Sequence, residues 1–250
     1  MPIRSPHCLI YKEVLVKPQT AIGIISILAC LCAAGCSNAK REETPEQTQL
    51  KTQLDQQEKQ AAQTAQTYHA MDNAALISKL EEQSARKREP FNSLAYRELI
   101  TRKDVDSKAL VSIVNEKKNG DAILPLLLLR KLDQKSYMQI PAEVRSNVLT
   151  DALEQSKTFN LWGMPNFYLE DASNALLESG QSVYPNLRRM LSETRPAPVY
   201  GSKAYMVYMR YQFRLCDYAL FYLKRMQGDA NYTLPVSVAD RDAQIKAMLK

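Results

Sequence analysis

The sequence is poor in histidine, with only His7 and His69 among its 250 residues. Catalytic triads and most zinc sites depend on imidazole, either to transfer a proton or to supply a nitrogen ligand. We therefore expect neither a Ser-His-Asp hydrolase nor a Cys-His hydrolase. We also expect no metal site and no cofactor.

Cysteine is scarce in most of the chain. Of the five cysteines, Cys8, Cys30, Cys32 and Cys36 lie in the first 36 residues, and only Cys216 follows them. One thiol in the rest of the chain can form neither an intrachain disulfide nor a cysteine metal site. We expect Cys216 to be a buried structural residue, because free cysteine is among the most buried residue types.

Glycine is also rare, with seven residues, and no stretch alternates regularly between apolar and polar side chains. A fold rich in β-sheet would need such alternation and frequent turns. Apolar residues instead recur three and four positions apart, as in Ala109, Leu110, Ile113 and Val114. The sequence therefore predicts an all-α fold.

A strong charge of either sign is absent. The formal net charge is +6, and removal of residues 1–35 would leave +4, because it takes away three basic residues and one acidic residue. Proteins that bind nucleic acid usually carry a much more basic surface. We therefore expect no nucleic acid as a partner.

The single extended apolar stretch, residues 21–35, is interrupted only by Ser26. It is shorter than the roughly 20 apolar residues of a membrane-spanning helix. Arg4, Lys12 and Lys17 precede it, against one acidic residue. A short apolar stretch behind a basic flank is typical of an export signal that is cleaved.

The apolar stretch ends in Ala33-Ala34-Gly35-Cys36, and polar residues begin at Ser37. Small residues directly before a cysteine resemble the lipobox of bacterial lipoproteins. The resemblance implies cleavage before Cys36, a lipid on Cys36 that attaches the protein to a membrane, and a place outside the cytoplasm. Ile27-Leu28-Ala29-Cys30 is a second candidate lipobox, and the alternative without export is a cytosolic protein with an apolar N-terminal helix.

Within the lipobox resemblance, the residue after the cysteine also predicts the membrane to which the protein is sorted. Ser37 is compatible with sorting to an outer membrane facing the periplasm if the organism is Gram-negative, whereas aspartate there would retain an enteric lipoprotein in the inner membrane. The expected location is therefore the bacterial cell envelope, with the protein held there by its lipid.

Composition divides the chain into three parts: a signal peptide over 1–35, a Gln-rich tether over 36–67 and an all-helical domain over 68–250. The tether keeps only a thin apolar stripe at Leu50, Leu54, Ala61 and Ala65. So few apolar side chains cannot stabilise an independent fold. We expect a flexible or helical tether.

Capping residues predict where several helices of the domain begin. Asp106, Asp121, Pro141, Asp171 and Ser237 each precede an apolar helical pattern. One such pattern, which includes residues 126–129, is apolar nearly all round and should lie in the middle of the fold. A further strong amphipathic helix is expected over 214–226.

One sequence pattern occurs twice, 60 residues apart. Residues 120–125 and 180–185 share Gly-x-x-[Ile/Val]-x-Pro, each between an apolar helix and a Leu-rich helix with basic residues. This arrangement resembles HEAT-like helical repeats and implies an irregular α-solenoid. Pro125 and Pro185 should lie in the first turn of their helices, where a missing N–H is tolerated.

Two irregular segments, 159–169 and 194–202, interrupt the helices and carry aromatic residues, prolines and glycines. Both flank the same predicted helix pair, so we expect them to converge into a binding groove with an arginine rim. The candidate binding residues are Trp162, Arg188, Arg189, Arg195, Tyr200, Tyr205 and Arg210. The structural alternative places the aromatic rings in the core and the arginines at helix ends.

The sequence thus favours a membrane-tethered, extracytoplasmic helical scaffold that binds a protein partner or an envelope polymer such as peptidoglycan or an anionic glycan. The alternative is a cell-wall or glycan-processing hydrolase that uses carboxylates near Trp162. Glu170 and Asp171 would supply those carboxylates. A helix N-cap at Asp171 would explain that residue without catalysis.

Overall fold

The computed structural model describes residues 44–86 and 89–250, without the side chain of Phe91. The predicted signal peptide, the lipidation site Cys36 and the first residues of the tether lie outside the described residues. The chain divides into two compact units, with the boundary between Thr64 and Ala65.

The described residues are mostly helical, which confirms the predicted all-α class. The α-helices are α1 Pro45–Ala70, α2 Asn73–Ala85, α3 Leu94–Leu99, α4 Ser107–Lys117, α5 Ile123–Leu132, α6 Gln134–Gln139, α7 Ala142–Gln155, α8 Asp171–Glu178, α9 Tyr184–Met190, α10 Ser202–Tyr211, α11 Leu215–Met226 and α12 Val238–Leu249. Short 3₁₀ turns cover Pro90–Asn92, Gly120–Ala122 and Gly180–Val183, and two short strands, β1 Gly163–Met164 and β2 Tyr168–Leu169, form an antiparallel hairpin.

Helix α1 begins with a reciprocal cap. The Gln47 N–H donates to Thr44 Oγ1 at 3.3 Å, and the Thr44 N–H donates to Gln47 Oε1 at 3.0 Å. Pro45 occupies the first helical position, where its missing N–H costs nothing. The described part of the predicted tether is therefore helical from Pro45 onward, and no α1 residue is buried.

The last turn of α1 belongs to the second unit, where Arg102 holds it. The Arg102 guanidinium donates to His69 O at 3.0 Å, to Met71 O at 2.8 Å and to Glu98 Oε1 at 3.0 Å. Glu98 in turn lies 3.0 Å from His69 Nδ1. These contacts fix the chain around residue 70, and the compact unit begins at Ala65 rather than at residue 68.

The core of the second unit is built around α5 and α11. Every residue over 123–129 is buried, as the apolar pattern predicts, and so is every residue over 215–223. Burial of a large apolar side chain contributes about 1.5–3 kcal/mol, so these two helices provide much of the hydrophobic driving force. The backbone N–H of Leu124 also donates to the buried Ser84 Oγ of α2 at 3.2 Å.

The two copies of the repeated pattern each fold into a 3₁₀ turn followed by an α-helix. Gly120 opens one 3₁₀ turn and Gly180 opens another, and each turn leads directly into an α-helix. Pro125 is the third residue of α5 and Pro185 is the second residue of α9. Both prolines thus lie in a first turn, as predicted.

Gly120 is required by close packing and not by a left-handed backbone. A Cβ at this position would lie 2.7 Å from the backbone nitrogen of Ala152 in α7. The Gly120 N–H also donates to Asp151 Oδ2 at 2.7 Å. Helix α4 ends at Lys117, because Lys118, with φ of 53°, is the left-handed C-cap residue that follows it.

Three predicted caps differ in detail. Asp121 lies inside the 3₁₀ turn Gly120–Ala122, and α5 begins only at Ile123, with Ala122 as its N-cap. Glu170, and not Asp171, is the N-cap of α8, and Asp171 is the first helical residue. Pro141 is the N-cap of α7 rather than its first residue. Asp106 and Ser237 cap α4 and α12 through side-chain oxygens, as expected.

Candidate functional site

The first irregular segment, 159–169, folds into the β1–β2 hairpin. Gly163 pairs with Leu169, and Met164 pairs with Tyr168. Gly163 has φ of 75°, and a Cβ there would lie 2.6 Å from Tyr168 O, so only glycine fits. The Tyr218 hydroxyl donates to Gly163 O at 2.7 Å and ties the hairpin to α11.

Trp162 is completely buried, so the prediction that it forms a stacking wall for a ligand is wrong. Its indole Nε1–H donates to Ser156 Oγ at 2.9 Å. Its carbonyl oxygen accepts from Ser173 Oγ, which lies 2.5 Å from the Tyr222 hydroxyl. These bonds join the hairpin to α7, α8 and α11, which makes Trp162 a structural anchor.

The second irregular segment pairs with the chain that precedes α11. The Ala197 N–H donates to Phe213 O at 2.8 Å, and the Leu215 N–H donates to Arg195 O at 2.9 Å. An isolated antiparallel bridge joins Pro196 and Arg214. Residues 198–212, including α10, therefore form an excursion whose two ends are held together at the base.

The two irregular segments meet, as the sequence predicts. The Phe159 N–H donates to Pro198 O at 2.8 Å. Asn160 makes two bonds to Tyr200, accepting from its N–H at 2.9 Å and donating to its carbonyl oxygen at 2.6 Å. The hairpin segment thus fixes the backbone that leads into α10.

Arg195 does not form the rim of a groove, which corrects the sequence prediction. It is half-buried, donates from Nη1 to Ser156 O at 2.5 Å and donates from Nη2 to Glu154 O. The last carbonyl groups of α7 have no helical N–H partners, and the guanidinium satisfies them. Charge reversal at Arg195 would therefore lower the stability of the domain. At an arginine exposed on the surface, the same change would leave stability nearly unchanged.

Arg188 and Arg189 lie at the end of α9, and both are exposed. Arg189 makes a two-pronged bond to Glu154 at 2.5 and 2.7 Å, and this bond lowers the pKa of Glu154. The pair borders an open depression of about 270 Å³ between α7 and α9, lined with amide and carboxylate side chains such as Asn147 and Asp151. Arg189 is thus committed within the protein, whereas Arg188 forms no ion pair with any described residue.

The outward side of α10 exposes large apolar side chains. Tyr205 is 40% exposed, Met206 71% and Met209 50%. Tyr200, 46% exposed, stacks parallel to Tyr205 with ring centroids 6.4 Å apart. We call Tyr200, Tyr205, Met206 and Met209 the α10 face.

The inward side of α10 rests on the domain. Ala204, Val207 and Tyr211 are partly buried against the core, and no α10 residue is fully buried. Phe167, 49% exposed, packs edge-on against Tyr211 at 5.4 Å. The helix therefore presents the α10 face from a defined support.

Cations flank the α10 face. Lys203 and Arg210 are exposed and form no ion pair with any residue that the structure describes. The sequence contains no acidic residue between Glu193 and Asp217. This surface therefore carries positive charge that no neighbouring carboxylate on its own chain segment neutralises.

The base of the excursion is fixed by a buried ion cluster. Asp217 lies 2.9 Å from Arg214 Nη2 and 3.1 Å from Arg241 Nε, and both Asp217 and Arg241 are fully buried. Arg241 also donates to Tyr211 O at 2.8 Å and so binds the end of α10. Arg214 and Asp217 thus form a structural ion pair at the N-terminus of α11.

Cys216 is buried, as expected. Burial, and then the charge of Asp217, raise the pKa of its thiol to about 11. At neutral pH the side chain therefore stays in the unreactive thiol form.

The carboxylates near Trp162 include Glu170 and Asp171, which lie at the start of α8. Asp171 lies 3.2 Å from Lys131 and 3.7 Å from Arg130, and partial burial, followed by Asp171, raises the pKa of Glu170. Because Trp162 is buried, it offers no ring for a sugar to stack upon. A third carboxylate, Glu89, is buried against Thr158, and burial raises its pKa.

Within the described ranges, no group of His, Cys, Asp and Glu is placed to hold a metal ion. None of the described helices combines the length and hydropathy needed to cross a membrane. No family model matches the chain, and comparisons with curated proteins and with solved structures find no match either.

Of the predicted binding residues, Tyr200, Tyr205 and Arg210 lie together at α10. Trp162 and Arg195 instead make structural contacts inside the domain. Sequence reasoning omitted Met206 and Met209, which lie at the centre of the exposed side. Their spacing from Tyr205 and Arg210 is one to four residues, so a helical projection of 202–211 would have placed them together.

Proposed function

We propose that the protein is a lipid-anchored, extracytoplasmic helical scaffold of the bacterial cell envelope that binds a protein partner through the α10 face. The anchor is the lipid on Cys36, and the location follows from the lipobox resemblance. The observation that carries the binding function is the exposure of Tyr205, Met206 and Met209 on one supported helix, with Tyr200, just before that helix, stacked on Tyr205.

The composition of the α10 face favours a protein over an envelope polymer. Tyrosine, methionine and arginine are enriched at the centres of protein–protein interfaces, whereas scattered apolar residues on a surface are ordinary. Methionine adapts its shape to different partners. Glycan sites would offer an aromatic platform in a polar cleft, and the open depression beside Arg189 contains no aromatic side chain.

The scaffold is further proposed to be an irregular HEAT-like repeat. Both Gly-to-Pro turns lie against α7, where Gly120 bonds to Asp151 and Ser182 bonds to Ser146. Helical repeats often present binding residues from the segments that interrupt them, and α10 is such an interruption.

Site-specific photo-cross-linking in cells tests the binding function. A photoreactive residue at position 206 should capture a discrete product that protease digests. The matched control is position 138, since Met138 is 59% exposed on α6 and lies in a different element. Equal products at both positions, or none at 206, would contradict the proposal, and a product sensitive to a muramidase but not to protease would indicate an envelope polymer.

A further inference from the structure

The charges around the α10 face restrict the chemistry of the partner, provided that the face binds a protein as proposed above. Lys203 and Arg210 are seven residues apart on α10, so they lie on the same side of the helix, next to Met206. Neither has a carboxylate partner within the part of the chain that the structure describes. The Arg210 guanidinium lies 6.0 Å from the centroid of the Tyr211 ring. Both cations are nevertheless exposed and lack a carboxylate partner among the described residues, so they are available to an acidic ligand.

The nearest acidic residues in the sequence are already committed or lie beyond the excursion. Asp217 is buried between Arg214 and Arg241, and Asp242 lies 2.6 Å from Arg214. Arg195 adds positive charge at the base, and its hydrogen-bond partners are neutral carbonyl groups. Around α10 the balance of charge is therefore positive.

Phenolic hydroxyl groups add hydrogen-bond donors at the opposite edge of the α10 face, with Met206 and Met209 between them and the cations. Tyr200 and Tyr205 are stacked, and Tyr208 lies 6.2 Å from Tyr205 between ring centroids. None of these three hydroxyls has a hydrogen-bond partner among the described residues. Phenol O–H groups and guanidinium N–H groups are both suitable donors to a carboxylate.

We propose that the α10 face binds an acidic, amphipathic protein segment, whose apolar side chains cover Met206 and Met209 and whose carboxylates pair with Lys203, Arg210 and the tyrosine hydroxyls. Complementary charge would fix the orientation of this segment and reject basic competitors. A membrane surface is less well matched, because interfacial helices usually carry Trp, Phe or Leu toward the lipid, whereas the outward side of α10 carries Met, Tyr and Ser.

The test uses the full-length chain in neutral detergent micelles with methyl-labelled methionine. The NMR signals of Met206 and Met209 are assigned by single Met→Leu variants. Two short synthetic peptides serve as probes, sharing their apolar residues and carrying either Glu or Lys at every polar position. Short-chain phosphatidylglycerol is the third probe and represents the membrane surface.

The Glu peptide should shift both methyl signals at concentrations roughly tenfold lower than the Lys peptide requires. The double variant Lys203→Glu with Arg210→Glu should reverse that preference. The matched control, Arg97→Glu with Lys246→Glu, changes net charge equally at exposed residues of α3 and α12 and should leave the preference unchanged.

Equal response to both peptides, or no response to either, would overturn the acidic-segment proposal. A response to phosphatidylglycerol with silent peptides would also overturn it and would identify a membrane surface as the ligand. Cross-linking tests the broader proposal, that the α10 face binds a protein, independently of the peptides. That proposal would be contradicted if position 206 captured no specific protein, whatever the peptides show.

Discussion

Buried polar side chains hold the irregular parts of this protein in place. Trp162, Arg195 and Arg241 each donate hydrogen bonds across elements, to α7 or to the end of α10. A buried donor left without its partner costs about 1–3 kcal/mol, so such residues are strongly position-specific. The hydrogen-bond donors of these side chains therefore hold the site in place and do not contact a ligand.

Replacement of Arg195 with alanine should destabilise the domain by about 2 kcal/mol, because two α7 carbonyl groups lose a charged donor. Chemical denaturation of the full chain measures the effect. The matched variant Arg188→Ala removes an exposed arginine from α9 and should change the free energy of unfolding by about 0.5 kcal/mol or less. Equal losses from both variants would contradict the capping role of Arg195.

The exposure of individual aromatic residues was not predictable from the sequence. Trp162 and Tyr200 both lie in irregular segments that contain proline and glycine. The two side chains differ in their hydrogen bonds. The Trp162 indole donates to Ser156 at the end of α7, whereas Tyr200 bonds to Asn160 only through its backbone. Local composition contains no such information, and only the folded topology supplies it.

Among the elements, α10 is the one whose removal should leave the rest folded. Its ends are joined by the pairing of 195–197 with 213–215, and its inward residues are only partly buried. We expect a short Gly-Ser linker in place of residues 201–210 to retain cooperative unfolding, with a loss of about 1–2 kcal/mol.

The same replacement should abolish binding of the Glu peptide. Because the replaced segment contains Met206 and Met209, their NMR signals are lost, and binding is measured instead by the fluorescence anisotropy of the added peptide. The parent chain is the control for both measurements. Loss of cooperative unfolding would show instead that α10 is an integral part of the core.

Elements with strong patterns were predictable and those without them were not. Helices α4, α5, α11 and α12 combine an apolar stripe with a recognisable start, and the structure confirms them. Helix α10 begins at Ser202, and its N-cap Gly201, with φ of 124° and no side chain, provides no start signal. The β1–β2 hairpin depends on Gly163 and on hydrogen bonds from α8 and α11. No local sequence pattern predicts these bonds.

At the scale of the whole molecule, the proposed anchor and the compact unit are separate parts of the chain. The unit begins at Ala65, and Cys36 precedes it by 29 residues. That interval includes the first 20 residues of helix α1, all of them unburied. The Gln-rich stretch contains too few apolar residues to fold alone, so its composition predicts a part of the chain separate from the compact unit.

Substitution of Cys36 with serine should release the protein from membranes or leave an unprocessed precursor, because serine offers no thiol for the lipid. Incorporation of labelled palmitate, followed by membrane fractionation, measures the effect. Cys30→Ser is the matched control and should remain lipidated and membrane-bound. Continued labelling of the Cys36→Ser variant would place the lipid elsewhere.

The burial of Trp162 has a spectroscopic consequence. It is the only tryptophan, and it is packed where the hairpin meets α7, α8 and α11. Its emission should therefore be blue-shifted in the native protein and move to longer wavelength only when that junction opens. One fluorophore then reports unfolding of the core without any label, while ligands that occupy the α10 face leave its emission unchanged.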